Sequence, residues 1–279
     1  METNKVWFVT GASKGLGFEL VKKPLSEGYR VAATSRTVES LVSSFGEASE
    51  NFLPLNMNIT DNDNVKWVFA QTGEHFGNMD VIVNNAGYGQ IGTLEELTDQ
   101  EARANFDVNV FGSLNVIRNA MPYLREQQSG KIFNISSIGG YAGNFPGWGV
   151  YCSTKFAVAG FTEALAEEVK AFGIHATVVY PGYFRTDFLA KDSVKIPQNP
   201  IPVYEAARSS EQANLDEING NQPNDPVKAA EALIRLSREQ NPPVHFLLGI
   251  ETNEFLNKKF KAMTKDAENW KELTESTAL

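Results

Sequence analysis

The sequence predicts an α/β fold: one doubly wound parallel sheet of about seven strands with helices on both faces. Short runs of apolar residues alternate with longer amphipathic segments along most of the chain. A repeated strand, helix, strand order of this kind is typical of parallel sheets. The short runs are apolar at nearly every position, which suits strands that are covered on both faces.

Seven segments fit such strands and five fit the helices between them. The strand candidates are residues 6–10, 29–34, 52–56, 81–85, 131–136, 175–180 and 245–249. The helix candidates are residues 15–27, 61–75, 100–127, 149–172 and 226–239. No linker divides the chain, so we expect a single domain over residues 1–279. Within it, the proline-rich residues 188–225 predict a lid over a site, and residues after about 250 predict a short helical extension.

Composition argues against several functional classes. The chain has 279 residues, of which 42% are hydrophobic, and a net charge of −9, so it offers no basic surface for nucleic acid. Cys152 is the only cysteine and the three histidines are far apart, which argues against disulfides and a metal site. The first residues lack a signal-peptide pattern, and no run of about eighteen apolar residues occurs. We therefore expect a cytoplasmic protein that binds neither membranes nor nucleic acid.

The first predicted strand leads into TGASKGLG at residues 10–17, which opens the first predicted helix. Glycine accepts positive φ and lets the backbone approach a pyrophosphate, which then lies against the positive end of the helix. We interpret Gly11, Gly15 and Gly17 as part of the dinucleotide site of a Rossmann-like fold. A plain glycine-rich turn is the alternative.

The second predicted strand is followed by Ser35 and Arg36, without the carboxylate that binds the adenosine ribose in many dinucleotide folds. An arginine can bind a 2′-phosphate through charge-assisted hydrogen bonds, whereas an aspartate would repel it. Lys14, inside the glycine-rich turn, adds a second cation. These residues favour NADP(H) over NAD(H), and two solvated surface cations are the alternative.

The stretch YCSTK places Tyr151 and Lys155 one turn apart on one face of a predicted helix. A nearby ammonium group is expected to lower the pKa of the phenol from its usual value of ~10, which makes the hydroxyl a better proton donor. A surface tyrosine beside a solvated lysine has the same spacing. The pair therefore needs support from the rest of the chain.

Six motifs occur in order from the first predicted strand to the sixth. They are TGASKGLG at 10–17, NNAG at 84–87, DVNVFG at 107–112, NISSIGG at 134–140, YCSTK at 151–155 and YPGYFRTDF at 180–188. Together they resemble the classical short-chain dehydrogenase/reductase family, and most closely its carbonyl reductases similar to 17β-hydroxysteroid dehydrogenases. The resemblance implies an NADP(H)-dependent oxidoreductase that interconverts a ketone or aldehyde and its alcohol by hydride transfer.

The resemblance also implies four catalytic residues. Tyr151 would be the general acid in carbonyl reduction and the base in alcohol oxidation, with Lys155 lowering its pKa and binding the nicotinamide ribose. Ser137 would donate a hydrogen bond to the substrate oxygen, and Asn109 would position a water linked to Lys155. Ser136 is the alternative to Ser137, since the strand sends the two side chains to opposite sides.

The cofactor contacts follow from the same resemblance. Asn58 stands where the family usually has an aspartate that accepts a hydrogen bond from the adenine amino group, and an amide oxygen can accept the same bond. The complete predicted set is Gly11, Ser13, Lys14, Gly15, Leu16, Gly17, Ser35, Arg36, Asn58, Ile59, Asn85, Ala86, Gly87, Tyr151, Lys155, Pro181, Gly182, Phe184 and Thr186.

The substrate and the assembly are less defined by the sequence. Phe145, Trp148, Tyr183 and Phe188 fall in segments expected near the nicotinamide and predict a pocket for an apolar or ring-containing carbonyl, with core packing as the alternative. The resemblance implies a homodimer or homotetramer built through residues 100–127 and 149–172. Two other functions stay open: a nucleotide-sugar epimerase or dehydratase that retains its cofactor, and a non-catalytic NADP(H)-sensing protein.

Overall fold

The computed structural model of the protein describes residues 4–190 and 193–279. Its centre is a sheet of seven strands in which every neighbouring pair is parallel. Two further strands of two residues each pair with one another outside this sheet. In chain order the strands are β1 (Val6–Thr10), β2 (Arg30–Ser35), β3 (Phe52–Asn56), β4 (Val81–Asn84), β5 (Gly89–Gln90), β6 (Gly130–Ile135), β7 (Ile174–Pro181), β8 (Val194–Lys195) and β9 (His245–Leu248).

The strands of the large sheet follow the order β3-β2-β1-β4-β6-β7-β9. The chain builds outward from β1 to β3, returns to β4 beside β1, and then builds outward in the other direction. In such doubly wound sheets ligands bind at the carboxyl ends of the strands where the direction reverses, here β1 and β4. The predicted fold class is confirmed.

Helices cover both faces of the sheet. The single helix predicted over residues 100–127 is wrong in one respect, because Asp107–Gly112 form a π-helical turn between two α-helices. No helix within residues 4–190 and 193–279 is long and apolar enough to cross a membrane. The α-helices are α1 (Gly15–Ser26), α2 (Val38–Phe45), α3 (Asn62–Phe76), α4 (Asp99–Phe106), α5 (Ser113–Glu126), α6 (Gly149–Val169), α7 (Glu205–Gln212), α8 (Pro226–Arg238), α9 (Thr252–Asn269) and α10 (Lys271–Glu275).

Two apolar layers, one on each face, hold the helices against the sheet. On β1, Trp7 and Val9 point into one layer together with Leu233 of α8. Phe8 points into the other layer, where its ring stacks on Phe69 of α3 with centroids 4.4 Å apart. All five side chains are fully buried. The strand that leads into the glycine-rich turn is therefore packed from both sides.

The segment predicted as a lid, residues 188–225, contains β8, α7 and a π-helical turn at Ala213–Ile218; residues 191 and 192 lie outside the described residues. A buried carboxylate ties this segment to the rest of the protein. Glu96 accepts hydrogen bonds from the backbone N–H groups of Thr93 and Ile201, each at 2.8 Å, and pairs with Arg208. The ion pair and its backbone donors hold α7 beside the turn that precedes α4.

Candidate active site

A cavity of about 530 Å³ opens at the carboxyl ends of β1 and β4. Most of the residues predicted to bind the cofactor or to act in catalysis line it. Gly17 and Asn109 do not. The predicted residues that line the cavity are Gly11, Ser13, Lys14, Gly15, Leu16, Ser35, Arg36, Asn58, Ile59, Asn85, Ala86, Gly87, Ser137, Tyr151, Lys155, Pro181, Gly182, Phe184 and Thr186.

The glycine-rich turn has the conformation that its glycines predict. Gly11 and Gly15 have φ of +65° and +60°, a backbone region that glycine adopts readily and residues with a Cβ disfavour. A Cβ on Gly11 would lie 2.8 Å from the Cα of Ala86, and a Cβ on Gly17 would lie 2.3 Å from the carbonyl oxygen of Gly11. Gly17 therefore shapes the turn from behind, which explains why it does not line the cavity.

Asn85 fixes the ends of β1 and β4 to each other. Its Nδ2 donates to the carbonyl oxygens of Thr10 and Gly11 at 2.9 and 3.1 Å. In return, the hydroxyl of Thr10 accepts hydrogen bonds from the backbone N–H groups of Asn85 and Ala86 at 3.0 and 2.9 Å. These hydrogen bonds thus fix the floor of the cavity between β1 and β4, where the order of the strands reverses.

The cationic end of the cavity lies at the carboxyl ends of β1 and β2, where Lys14 and Arg36 follow the strands. Arg36 is exposed, and none of the residues in 4–190 and 193–279 forms an ion pair or hydrogen bond with its guanidinium group. Lys14 is also exposed, and its Nζ donates to the hydroxyl of Ser193 at 2.6 Å. The two cations can therefore meet an anion without first breaking a salt bridge.

Asn58 lines the cavity, but its amide oxygen already has two partners. It accepts hydrogen bonds from the backbone N–H and the hydroxyl of Thr60 at 3.2 and 2.9 Å. Because a carbonyl oxygen has two lone pairs, the adenine contact expected of it requires one of these bonds to give way.

Tyr151 and Lys155 lie one turn apart on α6, and both are buried. The Lys155 Nζ is 5.8 Å from the centroid of the Tyr151 ring and donates to the carbonyl oxygen of Ile135 at 2.9 Å. Burial lowers the pKa of Lys155 to about 8. Burial also raises the pKa of Tyr151 well above its usual value, although a hydrogen bond with Ser137 acts in the opposite direction.

The expectation of a lowered phenol pKa is therefore wrong for the protein alone. Loss of water around the Tyr151 hydroxyl disfavours the phenolate more than the polar neighbours favour it. Cys152 and Tyr183 add to the effect by disfavouring a second negative charge nearby. The hydroxyl consequently stays protonated at neutral pH.

Ser136 and Ser137 make different contacts, as strand alternation predicts. The buried hydroxyl of Ser136 donates to the carbonyl oxygen of Lys155 at 2.8 Å, which uses its only hydrogen. The hydroxyl of Ser137 accepts from the backbone N–H of Gly139 at 3.1 Å and adjoins Tyr151. Ser137 thus keeps its hydrogen for an oxygen at this position, either that of the phenol or that of a substrate.

Asn109 lies in the π-helical turn, where its amide group braces the backbone of Tyr88. It donates to the Tyr88 carbonyl at 3.1 Å and accepts from the Tyr88 N–H at 3.0 Å, and it also donates to Thr154 on α6 at 3.0 Å. A Cβ on Gly87 would lie 3.0 Å from Asn109 Oδ1 and 3.6 Å from Lys155 Nζ. Asn109 therefore lies behind Gly87, close to Lys155, and its link to a water stays a prediction.

Aromatic side chains pack around the Tyr151 ring. The ring of Trp148 meets the Tyr151 ring edge-on at 5.4 Å, and that of Phe188 lies 5.8 Å away. Phe145 and Tyr183 line the same cavity. This end of the cavity is lined by aromatic rings together with the phenol and serine hydroxyls.

The sequence matches known proteins along nearly its whole length. Residues 5–196 match the family described as short chain dehydrogenase. Over 277 residues the chain is 36% identical to the oxidoreductase BOA17 of Botryotinia fuckeliana (strain B05.10), a match that covers 98% of this chain and 99% of that protein. The chain belongs to the short-chain dehydrogenase family.

Solved structures agree with this assignment. A short-chain dehydrogenase from Streptomyces avermitilis has a TM-score of 0.88 at 32% identity, covering 99% of this chain and 98% of the other. The structure of ElxO with NADP bound has a TM-score of 0.71 at 28% identity, covering 88% of this chain and 96% of the other. This short-chain dehydrogenase is therefore an oxidoreductase of a family that uses a nicotinamide cofactor.

Among the polar residues that line the cavity of this short-chain dehydrogenase and that sequence reasoning missed are Tyr88, Lys195, Asn214 and Gln222. The pairing of β8 with β5 places the Nζ of Lys195 4.7 Å from the centroid of the Tyr88 ring. Two-residue strands carry no periodic pattern, so the sequence gives no signal for this pairing. Asn214 and Gln222 likewise reach the cavity only through the folding of the inserted segment.

Sequence reasoning also missed the residues that hold the segment after β7. Asn224 Nδ2 donates to the Tyr183 carbonyl at 2.8 Å and to the Glu251 carboxylate at 2.9 Å. Glu251 in turn accepts a hydrogen bond from the Tyr183 N–H. A Cβ on Gly182 would lie 2.1 Å from Glu251 Oε1, so only glycine leaves room for this carboxylate. Asn224 and Glu251 thus fix one wall of the cavity.

Proposed function

We propose that this short-chain dehydrogenase interconverts an aldehyde or ketone and its alcohol with NADP(H) as cofactor. One observation carries the proposal. The cationic residues Lys14 and Arg36 line the same cavity as Ser137, Tyr151 and Lys155. A phosphorylated nucleotide and a carbonyl compound would therefore both find complementary groups in one space.

The shape of the cavity supports a dinucleotide. Gly11 and Gly15 leave the backbone of the turn bare at the start of α1, where N–H groups and the helix dipole favour a pyrophosphate. The predicted contacts would hold the cofactor, except that Gly17 acts by shaping the turn. Bound NADPH would supply the hydride for carbonyl reduction.

The choice of NADP(H) over NAD(H) rests on Arg36. Its guanidinium group is exposed and has no carboxylate partner among the described residues. A planar guanidinium can donate two parallel hydrogen bonds to a 2′-phosphate. The similar protein ElxO, solved with NADP bound, adds support.

Tyr151 would transfer the proton. Because burial raises its pKa, the hydroxyl is protonated at neutral pH, which suits a general acid that donates to the carbonyl oxygen during reduction. After the transfer, a positive charge close to the phenol oxygen would stabilise the phenolate. Lys155 can provide such a charge, since its pKa of about 8 keeps most of the ammonium protonated at pH 7.

Ser137 and Lys155 would position the reacting groups. The Ser137 hydroxyl can donate its hydrogen to the substrate oxygen, where negative charge develops in the transition state. The ammonium group of Lys155 has three donors, and Ile135 occupies one of them. Its remaining donors are available for the nicotinamide ribose and for a water beside Asn109.

The aromatic lining supports an apolar or ring-containing substrate. Trp148 and Phe188 flank Tyr151, so a flat or branched apolar group beside the carbonyl would contact ring faces and edges. Residues 188–225 would act as a lid, because Leu189, Lys195 and Gln222 line the cavity. Closure of such a segment excludes water from the path of the hydride.

The assembly and location are extensions of the same proposal. Exposed Phe111 in the π-helical turn and Phe156 on α6 support a homodimer or homotetramer built through the predicted segments 100–127 and 149–172. The single buried thiol, Cys152, suits a reducing compartment such as the cytoplasm.

The substitution Tyr151→Phe tests the proposed role of the phenol. We expect turnover to fall by about 10³-fold, since a general acid typically contributes 10²–10⁴. The dissociation constant for NADPH should stay within about threefold, because only the hydroxyl is lost and the ring keeps its contacts. Turnover near that of the wild type would remove Tyr151 from the reaction, and a parallel loss of NADPH binding would indicate a structural defect.

A further inference from the structure

Beyond β9 the chain forms α9, which touches the rest of the protein mainly at its first residues. The Tyr141 hydroxyl donates to the Thr252 carbonyl at 2.7 Å, and the Phe255 ring lies 5.6 Å from that of Phe145. Every residue from 260 to 279 is exposed. Isolated helices are marginally stable in water, and most helices gain stability by burying an apolar face. The helix α9 buries almost no apolar surface against the rest of the described residues.

One stripe of α9 is nevertheless apolar, and we name it the apolar seam. It consists of Leu256, Phe260, Met263 and Ala267 together with Trp270, the residue that directly follows α9, and the spacing alternates between four and three residues. Phe260, Met263 and Trp270 are 58%, 54% and 62% exposed. Apolar residues spaced 3.5 apart on average form the contact line of paired helices. The apolar seam therefore has the pattern of a helix that packs lengthwise on another helix.

The charges flanking the apolar seam are divided between two halves. Residues 254–265 carry four lysines and one glutamate, whereas residues 266–275 carry four acidic residues and one lysine. The two halves, which together span α9, Trp270 and α10, cancel, so this segment carries no net positive charge to draw it to anionic lipids. An antiparallel partner suits this order, because Lys258 and Lys259 of one copy would then lie close to Glu268 and Asp266 of the other.

We propose that α9 pairs in antiparallel orientation with α9 of a second copy of this chain. With Met263 in the middle of the apolar seam, the twofold axis passes beside it and the two Met263 side chains meet. Leu256 then faces Trp270 of the second copy. Lys259, which flanks the apolar seam, faces Asp266 of the second copy, and symmetry repeats this pair. Burial of the apolar seam supplies the stability, and the charges set the orientation.

Cysteine cross-linking in the full chain tests the contact. The only natural cysteine, Cys152, is 4% exposed and serves as the internal control. Met263→Cys should form a disulfide-linked dimer under mild oxidation about tenfold faster than Lys265→Cys, because pairing raises the effective concentration of the seam thiols. Lys265 lies two residues farther along α9, on the opposite face. Equal rates for the two variants, or no dimer with Met263→Cys, would overturn the proposal.

Two mixtures test the orientation. Leu256→Cys mixed with Trp270→Cys should give a cross-linked pair of the two variants, whereas each variant alone should stay uncross-linked. Cross-linking of each variant only with itself would show parallel pairing and contradict the proposal. In sedimentation experiments, Lys259→Asp should weaken self-association, and adding Asp266→Lys to the same chain should restore it. A double variant as weak as the single one would argue against this charge pair.

A membrane surface is the competing partner for an amphipathic helix. Flotation of the wild type with vesicles of phosphatidylserine and phosphatidylcholine should leave the protein unbound. Co-flotation that Phe260→Glu abolishes would instead show that the apolar seam inserts into lipid, and the proposal would fail. None of these experiments depends on catalytic activity, so they stand apart from the proposed reaction.

Discussion

At one end of the cavity Arg36 and Lys14 reach solvent from turns that follow strands, whereas at the other end Tyr151 and Lys155 are buried on α6. The cations of the exposed end attract an anion through water, which screens each interaction and makes it weak. At the buried end, the loss of water disfavours charge, which raises the pKa of Tyr151 and lowers that of Lys155. Cofactor choice and proton transfer should therefore be separable by substitution.

After Tyr151→Phe, the largest expected effect also concerns the buried end. Ser137→Ala should lower turnover by about 10²-fold, the usual cost of one hydrogen-bond donor to a developing oxyanion. The neighbouring substitution Ser136→Ala is the matched control, since its hydroxyl is already bonded to the Lys155 carbonyl. Ser136→Ala should lower the free energy of unfolding but leave the turnover of the folded enzyme nearly unchanged. Steady-state kinetics and thermal unfolding of both variants check the contrast, and the reverse pattern would exchange the two assignments.

An intermediate effect is expected at the cationic end. Arg36→Asp should weaken NADPH binding by about 10- to 100-fold, the value of one or two charge-assisted hydrogen bonds. The affinity for NADH should change little, because NADH lacks the 2′-phosphate. Lys66→Asp, an exposed residue on α3, makes the same change in net charge and serves as the control. Fluorescence titrations decide the matter, and equal losses for both cofactors would refute the assignment of Arg36.

The smallest effect is a pH dependence of stability. In the fold, burial lowers the pKa of Lys155 from 10.5 to about 8. Between these values the unfolded chain binds a proton that the folded protein does not, so stability rises with pH. The raised pKa of Tyr151 opposes this trend only above pH 10, where the unfolded phenol ionises. Between pH 8 and 10, the free energy of unfolding of the wild type should therefore rise by about 1 kcal/mol per pH unit relative to that of Lys155→Met.

Urea unfolding across this range measures the difference. Lys66→Met, which removes an exposed ammonium group, is the control and should follow the wild-type curve. Curves of Lys155→Met and wild type that stay parallel from pH 7 to 10 would show that Lys155 does not titrate in this window.

The two ends also differ in what the sequence reveals. The glycine-rich turn, Arg36 and the YCSTK pair are local patterns, so their positions could be predicted from the chain alone. The helix α2 was missed although Val38, Leu41 and Phe45 repeat with helical spacing, because the segment is short and ends at a glycine.

Other features depend on distant parts of the chain and could not be predicted. Lys195 reaches the cavity through a two-residue pairing of β8 with β5, and Glu251 braces Tyr183 across 68 residues. The direction of the Tyr151 pKa shift was predicted wrongly because helical spacing reports a neighbour and not the loss of water. Burial is a property of the whole fold, so a local motif cannot supply it.

The proposed reaction is tested most directly by NADPH consumption. Purified protein would be given NADPH and a panel of aldehydes and ketones, from apolar aromatic to carboxylate-bearing, with absorbance followed and the alcohol product quantified. We predict consumption with at least one apolar carbonyl compound, one alcohol formed per NADPH consumed, and a lower rate with NADH. Tight NADPH binding without consumption on any compound, or nicotinamide that stays bound through gel filtration, would contradict the proposal.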